Sequence, residues 1–330
     1  MKQFKMLLLA SMVMLFTACG GGGSSSVATS DPTSSANDGT GLISLNITDA
    51  KPRLPKEPIA VNITVIGIEF NYDGKWTDVN DFEFESDKFE PLTFNLLDLQ
   101  DGKSLHLGNF ILPVGHYTEI RFKLDAPEKN GKVKSNPGCN IVFAEEEDNG
   151  TVTVWSEPLF VPSGGQSGYK GKGEFDITAN AKIEIMADFN VEKSIVVTGN
   201  EKYLLKPVIR LVVTELSGTI KGTVVDIEKY PEEDNDLTVY AYEHDTDIEM
   251  IDEVIANSEG ILFSNAVTSG DVNMTDGNFT LSFLGEGNYT LVTVNTDVVG
   301  VTIVDIEEDV EVLKGEVKLV DLNTSDYIPL

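Results

Sequence analysis

Nucleophilic catalysis needs a Ser, Thr or Cys held beside a base, and histidine is the usual base. The chain has three histidines, His106, His116 and His244, and two cysteines, Cys19 and Cys139. None of the histidines neighbours a nucleophile elbow, and Gly164-Gly165-Gln166-Ser167-Gly168 lacks the Gly-x-Ser-x-Gly spacing. The histidines also lack the spacing of zinc ligands. Ser163 to Gly173 is glycine-rich and holds Lys170 and Lys172, but it misses the Gly-Lys-Ser/Thr ending of a phosphate loop, so it reads as a mobile loop. Calcium asks for several hard oxygen ligands, and Asp271, Asn273 and Asp276 are the candidates. Their segment departs from an EF-hand loop: Asp276 stands where the glycine belongs and Ser282 where the bidentate Glu belongs. Trp76 and Trp155 could stack on a sugar ring, although most tryptophans pack into a core or an edge. These residues point to no enzyme and no cofactor; calcium remains a weak candidate.

The elements that would position these side chains read as strands. Ile43-Ser44-Leu45-Asn46-Ile47-Thr48 and Val61-Asn62-Ile63-Thr64-Val65 alternate apolar and polar residues. Similar runs occur at Leu105–Leu112, Thr118–Leu124, Val152–Trp155, Ala181–Ala187 and Val208–Val213. Asp73-Gly74, between Ile66–Tyr72 and Lys75–Val79, is a two-residue hairpin signal. Helical period is rare: Leu96–Leu99 suggests one turn and Asp247–Ala256 a short helix. Further on come Thr219–Asp226, Leu237–Tyr242, Phe279–Phe283, Tyr289–Val294, Val298–Val304 and Val310–Val320. Many short strands between polar turns predict sandwiches. Leu112-Pro113-Val114-Gly115-His116-Tyr117-Thr118 and Leu284-Gly285-Glu286-Gly287-Asn288-Tyr289-Thr290 share Leu-x-x-Gly-x-Tyr-Thr. Each pattern predicts a sharp turn, then a buried ring whose hydroxyl bonds backbone.

Charge is uneven along the chain. Residues 41–216 hold 18 basic and 27 acidic side chains, residues 217–330 hold 4 and 25, and the net charge is −30. Such a field repels phosphate backbones, so nucleic acid is excluded as a partner. Cys139, in Pro137-Gly138-Cys139-Asn140, has no disulfide partner if Cys19 is otherwise used, and reads as structural filler.

The first residues carry the export signal. Met1 to Lys5 is basic, Met6 to Phe16 is apolar apart from Ser11, and small residues precede Cys19. That is the pattern of a secretory signal, and the apolar run is too short to span a bilayer. Thr17-Ala18-Cys19 resembles a lipobox, which implies removal of residues 1–18 and a diacylated Cys19. Gly20 to about Thr40 is a Gly/Ser/Thr-rich tether with a reach of roughly 25 Å. Because Gly20 stands where an Asp would resemble an inner-membrane retention signal, the resemblance implies the outer membrane, facing the periplasm or the surface.

Two further resemblances appear. Residues 41–215 resemble the bacterial lipoprotein family built on domain of unknown function 4382. The carriers are Leu45–Ala50, Leu96–Gly102, Leu112–Arg121, Ala187–Ser194 and Leu204–Arg210, in the family's order. Residues 217–330 resemble the carboxypeptidase regulatory-like, transthyretin-like domain through Gly218–Asp226, Leu237–Ala241, Asp276–Leu281 and Gly287–Leu291. A long acidic segment, Glu243 to Gly270, replaces a short connection of that family. The expectation is therefore all-β: two β-sandwich domains, Ig-like or transthyretin-like, at 41–215 and 216–330, behind a lipidated tether at 19–40. The expected role is structural or adhesive, with the membrane as partner through the lipid. The alternative is capture of an extracellular glycan, or another ligand, aided by calcium.

Overall fold

Alternation at period two turns every second side chain to one face of a strand. In β1 (Thr40–Ala50) it sends Ile43, Leu45 and Ile47 into the core. A computed structural model of the chain describes residues 39–324, apart from 51–53, 55, 83–87, 128–136, 148–149, 163–167, 201, 234, 245–262 and 298–299. The export signal, Cys19, most of the tether, the helix expected at Asp247–Ala256 and most of the Gly164–Gly168 stretch lie outside the described residues.

Twelve more strands follow in the first lobe, among the described residues. They are β2 (Ala60–Tyr72), β3 (Lys75–Asp78), β4 (Leu92–Asn95), β5 (Leu105–Pro113), β6 (Gly115–Leu124), β7 (Asn140–Glu146) and β8 (Val152–Phe160). Then come β9 (Tyr169–Ile177), β10 (Lys182–Asn190), the single helical turn α1 (Val191–Ser194), β11 (Ile195–Val197), β12 (Tyr203–Leu205) and β13 (Val208–Val213). Their ladder runs β11-β12-β8-β7-β2-β6-β9-β13-β10-β1-β5, with β3 and β4 attached to β2. β2 is the corner. Its start pairs with β7 and β4, and its end with β6 and β3. The ladder thus folds around one core, to which β1, β2, β5, β6, β7, β9, β10 and β13 all contribute buried side chains. Pairing is mixed: β1–β10, β8–β12 and β9–β13 are parallel.

The second lobe contains β14 (Ser217–Val224), β15 (Asn235–Glu243), β16 (Thr268–Asp271), β17 (Asn278–Gly285), β18 (Gly287–Asp297), β19 (Val301–Val312) and β20 (Val317–Leu322). A three-stranded sheet, β17-β14-β20, packs on a four-stranded sheet, β16-β15-β18-β19. Ile220, Val224, Leu281 and Leu322 meet Leu237, Val239, Leu291 and Val310 between them. The alternate residues Tyr240, Tyr242, Val292 and Val294 form a second cluster with Phe263 and Ala266, so the four-stranded sheet is buried on both faces. The all-β sandwich expectation is borne out.

Two readings need correction. Val298–Val304 and Val310–Val320 are not two strands divided at the acidic residues between them. β19 runs through those residues, absorbing Glu308-Asp309 as a bulge with Asp309 at φ +59°, and the chain turns at Gly315. The glycine-rich stretch ending at Gly173 is not all loop. Gly171 and Gly173 lie in β9, where a Cβ on either would meet Leu211 of the neighbouring β13. The two Leu-x-x-Gly-x-Tyr-Thr segments act as expected. Tyr117 and Tyr289 are buried, and their hydroxyls donate to the carbonyls of Pro113 and Gly285, each at 2.9 Å.

Candidate functional site

The hairpin at Asp73-Gly74 has φ of +50° and +73°, the mirror-image turn that a right-twisted strand pair favours. It carries Trp76 back beside Asn71 of β2. The Arg121 guanidinium carbon lies 3.8 Å from the Trp76 ring centre and Lys170 Nζ lies 5.2 Å away. The ring is therefore occupied by cation–π contacts. Arg121 donates to Glu69 at 2.9 Å, Lys123 pairs with Glu69 at 2.6 Å, and Lys170 pairs with Glu119 at 3.2 Å. Burial pushes the Glu69 carboxyl upward, but hydrogen bonds from Lys123 and Arg121 outweigh this and hold it below the usual glutamate value.

Trp155 sits in β8 opposite Phe143, stacked on it at 5.6 Å between ring centres. Lys56 Nζ lies 4.1 Å from the indole centre and pairs with Glu145 at 2.8 Å. Both tryptophans are half-buried. They flank opposite ends of β2, since Trp76 pairs with Asn71 while Val142, next to Phe143, pairs with Ala60. The structure does not bring them together.

Asp271 closes β16, and Asn273 and Asp276 lie in the loop before β17. The Asn273 carboxamide accepts the Thr275 amide at 2.9 Å, and the Asp276 carboxylate accepts the Asn278 amide at 3.1 Å. These side chains shape their own turn. Asp271 and Asn273, with Asp101 and Glu232, line a polar cleft of about 590 Å³. Among the described residues, no group of three or more His, Cys, Asp or Glu side chains is arranged to hold a metal.

The histidines pair with amide or carboxylate side chains. His106 Nδ1 meets Asn46 at 3.0 Å, His116 Nδ1 meets Asp176 at 2.9 Å, and His244 Nε2 meets Asp309 at 3.2 Å. Cys139 is buried, and burial pushes its thiol up to about 12, so it is neither a thiolate nor a nucleophile at neutral pH.

The polar cluster that sequence reasoning missed lies between the lobes. The Tyr240 hydroxyl of β15 donates to Glu192 of α1 at 3.2 Å, and Glu192 is 5% exposed. Lys193 donates to the Ala266 carbonyl, and burial depresses its ammonium below the usual lysine value. Arg210 holds Asp188 at 2.7 Å nearby in the first lobe. Gly102 approaches β17 so closely that a Cβ there would meet the Ser282 hydroxyl at 2.6 Å. The described residues belong to one compact unit. No periodic signal marked these contacts, because Glu192-Lys193 in sequence looks like an ordinary polar turn.

Residues 40–207 match the model of a family described as Domain of unknown function (DUF4382). The chain belongs to that family. No curated protein matches it. Among solved structures, MbnP from Methylosinus trichosporium aligns at 11% identity over 47% of this chain and 76% of its own, with a TM-score of 0.24. The Bacillus anthracis TIE protein aligns at 14% identity over 86% of this chain and 34% of its own, with a TM-score of 0.16. The fimbrial anchor protein Mfa2 from Porphyromonas gingivalis aligns at 11% identity over 83% and 99%, with a TM-score of 0.18. Similarity this low assigns no activity to the family member described here. Among the described residues, no helix is long and apolar enough to cross a membrane.

Proposed function

We propose that this chain is a lipid-anchored protein of the bacterial cell envelope, held at the outer membrane, with a non-catalytic structural or adhesive role. The observation that carries the reading is the junction of the lobes. Buried polar contacts from Glu192 to Tyr240 and from Lys193 to Ala266 join two sandwiches into one unit. One compact body of that kind suits a protein that must project from a surface. Glycan capture has less support. Each tryptophan ring already has a cation against it, and the two rings stand at opposite ends of β2.

The test is chemical. Cells of a Gram-negative host expressing the chain are fed an alkyne-tagged fatty acid, and the purified protein is probed for the tag. The tag is expected on the wild type and absent from Cys19→Ala. An untagged wild type, cut elsewhere or left uncut, would sink the anchor.

A further inference from the structure

Strand β8 is open along part of one side. It pairs antiparallel with β7, from Val152 beside Glu146 to Pro158 beside Asn140. At the two ends of that ladder the Glu147 amide donates to the Thr151 carbonyl at 2.8 Å and the Leu159 amide to the Cys139 carbonyl at 3.1 Å. Opposed residues of an antiparallel pair alternate between exchanging backbone hydrogen bonds and exchanging none. Thr151, Thr153, Trp155, Glu157 and Leu159 therefore turn their backbone groups toward β7, and Val152, Val154 and Ser156 turn theirs the other way. On that side β12 meets β8 only at Leu159 and Phe160, so among the described residues no strand covers Val152–Ser156.

The side chains of this stretch are open too. Val152 is 57% exposed and Val154 58%, and Ser156 is exposed on the same face. Their cross-strand neighbours there are Glu146, Ala144 and Val142, and Ala60 of β2 follows Val142. Ala144, Val142 and Ala60 are half-buried, so the two valines carry a strip of small apolar side chains out to the edge. Exposed edges are ordinarily blunted by lysine, proline or a bulge, and none of these interrupts Val152–Ser156. Pro158 stands just before β12 takes over. An edge with outward amides and exposed apolar residues is a template for another strand.

The opposite face of the same edge is acidic. Glu157 lies on β8 itself, and Glu145 and Glu147 stand beside Thr153 and Thr151. Neither β7 nor β8 contains a basic residue. Of the described cations nearby, Lys56 is held by Glu145 against Trp155, and Lys202 lies 5.3 Å from the Phe160 ring, beyond the open stretch. The two strands, the lobe with 18 basic against 27 acidic residues, and the chain at −30 agree in sign. We propose that the open edge of β8 docks an extended segment of a partner protein, in which apolar and basic residues alternate, as a further strand of the sheet. Its backbone would pair with Val152, Val154 and Ser156. Its apolar side chains would lie beside the two valines, and its cations would face Glu147 and Glu157. Backbone phase and the valine face select an extended, alternating segment; charge selects only the sign of its polar face. A second copy is a poorer occupant, because β8 against β8 would bring the same glutamates together on two molecules of net charge −30. The purpose of this docking rests on the adhesive reading above; its geometry does not.

The purified full chain in detergent is titrated with three labelled peptides, alternating valine with lysine, serine with lysine, and valine with glutamate. The valine–lysine peptide is expected to bind, and each of the others about tenfold more weakly or worse, since one lacks the apolar face and the other the cations. The valine–lysine peptide methylated on its backbone amides is expected not to bind. Val154→Pro removes only an outward-facing N–H and is expected to weaken binding by about tenfold or more. Val152→Ser with Val154→Ser, a surface change that leaves the backbone alone, is expected to do the same. Equal binding of the serine–lysine peptide would mean attraction by charge alone and would overturn the proposal. So would binding of the methylated peptide, undiminished binding to the double serine variant, or a dimer in sedimentation that the double serine variant abolishes. Peptide binding and fatty-acid tagging are read separately: lost binding with lipidation intact counts against this edge alone, and lost lipidation with binding intact against the anchor alone.

Discussion

Cys139 lies within a tight corner of the first lobe, where the Thr64 hydroxyl donates to the Gly138 carbonyl at 2.6 Å and a Cβ on Gly138 would meet the Asp125 carbonyl at 2.6 Å. Burial keeps its thiol protonated up to about 12, from an ordinary value near 9. Burial likewise raises the hydroxyl pKa of Tyr117, Tyr169 and Tyr242. The sign of the consequence follows from linkage. The folded state keeps protons that the unfolded state releases, so stability is complete below pH 9 and falls as pH rises toward 12. Cys139 should resist a maleimide at neutral pH and react only in denaturant. The urea midpoint should fall across the alkaline window, and less steeply in Cys139→Ala. A midpoint that rises there, or rapid native labelling, would contradict the burial described.

Elements were legible where a strand follows period two and ends at a recognisable turn. The run Val208–Val213 is β13, and Asp73-Gly74 turns β2 into β3 with both residues at positive φ. They were illegible where packing overrides local pattern. β9 was hidden because Gly171 and Gly173 look like loop residues, yet their missing side chains let β13 approach. β19 was cut short because its acidic residues face solvent around a bulge rather than forming a turn. The candidate site residues were identifiable by type, but their surroundings were not, since Arg121 and Lys56 reach the tryptophans from other segments. At Gly173 a Cβ would lie 2.4 Å from the Leu211 carbonyl oxygen, at φ +155°, whereas at Gly199 it would meet nothing within 4 Å. Gly173→Ala should therefore cost about 1–3 kcal/mol in a denaturant melt, with Gly199→Ala near neutral. Equal effects at the two positions would mean that the close approach of β9 to β13 is wrong.

At the scale of the whole molecule, two lobes that are both acidic, at −9 and −21 from residues 41–216 and 217–330, repel each other. What opposes that repulsion is the buried contact of α1 with β15 and the close approach of Gly102 to β17. A buried carboxylate that loses a hydrogen-bond donor is costly, so Tyr240→Phe should destabilise by about 1–3 kcal/mol. Its effect should be felt by both lobes, because Glu192 belongs to one and Tyr240 to the other. The central claim, that the two lobes form one compact cooperative unit, is tested most directly by calorimetric unfolding of the full chain. The account predicts one transition, with calorimetric and van't Hoff enthalpies equal, that moves as a unit to lower temperature in Tyr240→Phe. Two separate transitions in the wild type, with only one of them shifted by the substitution, would show two independent beads and contradict it.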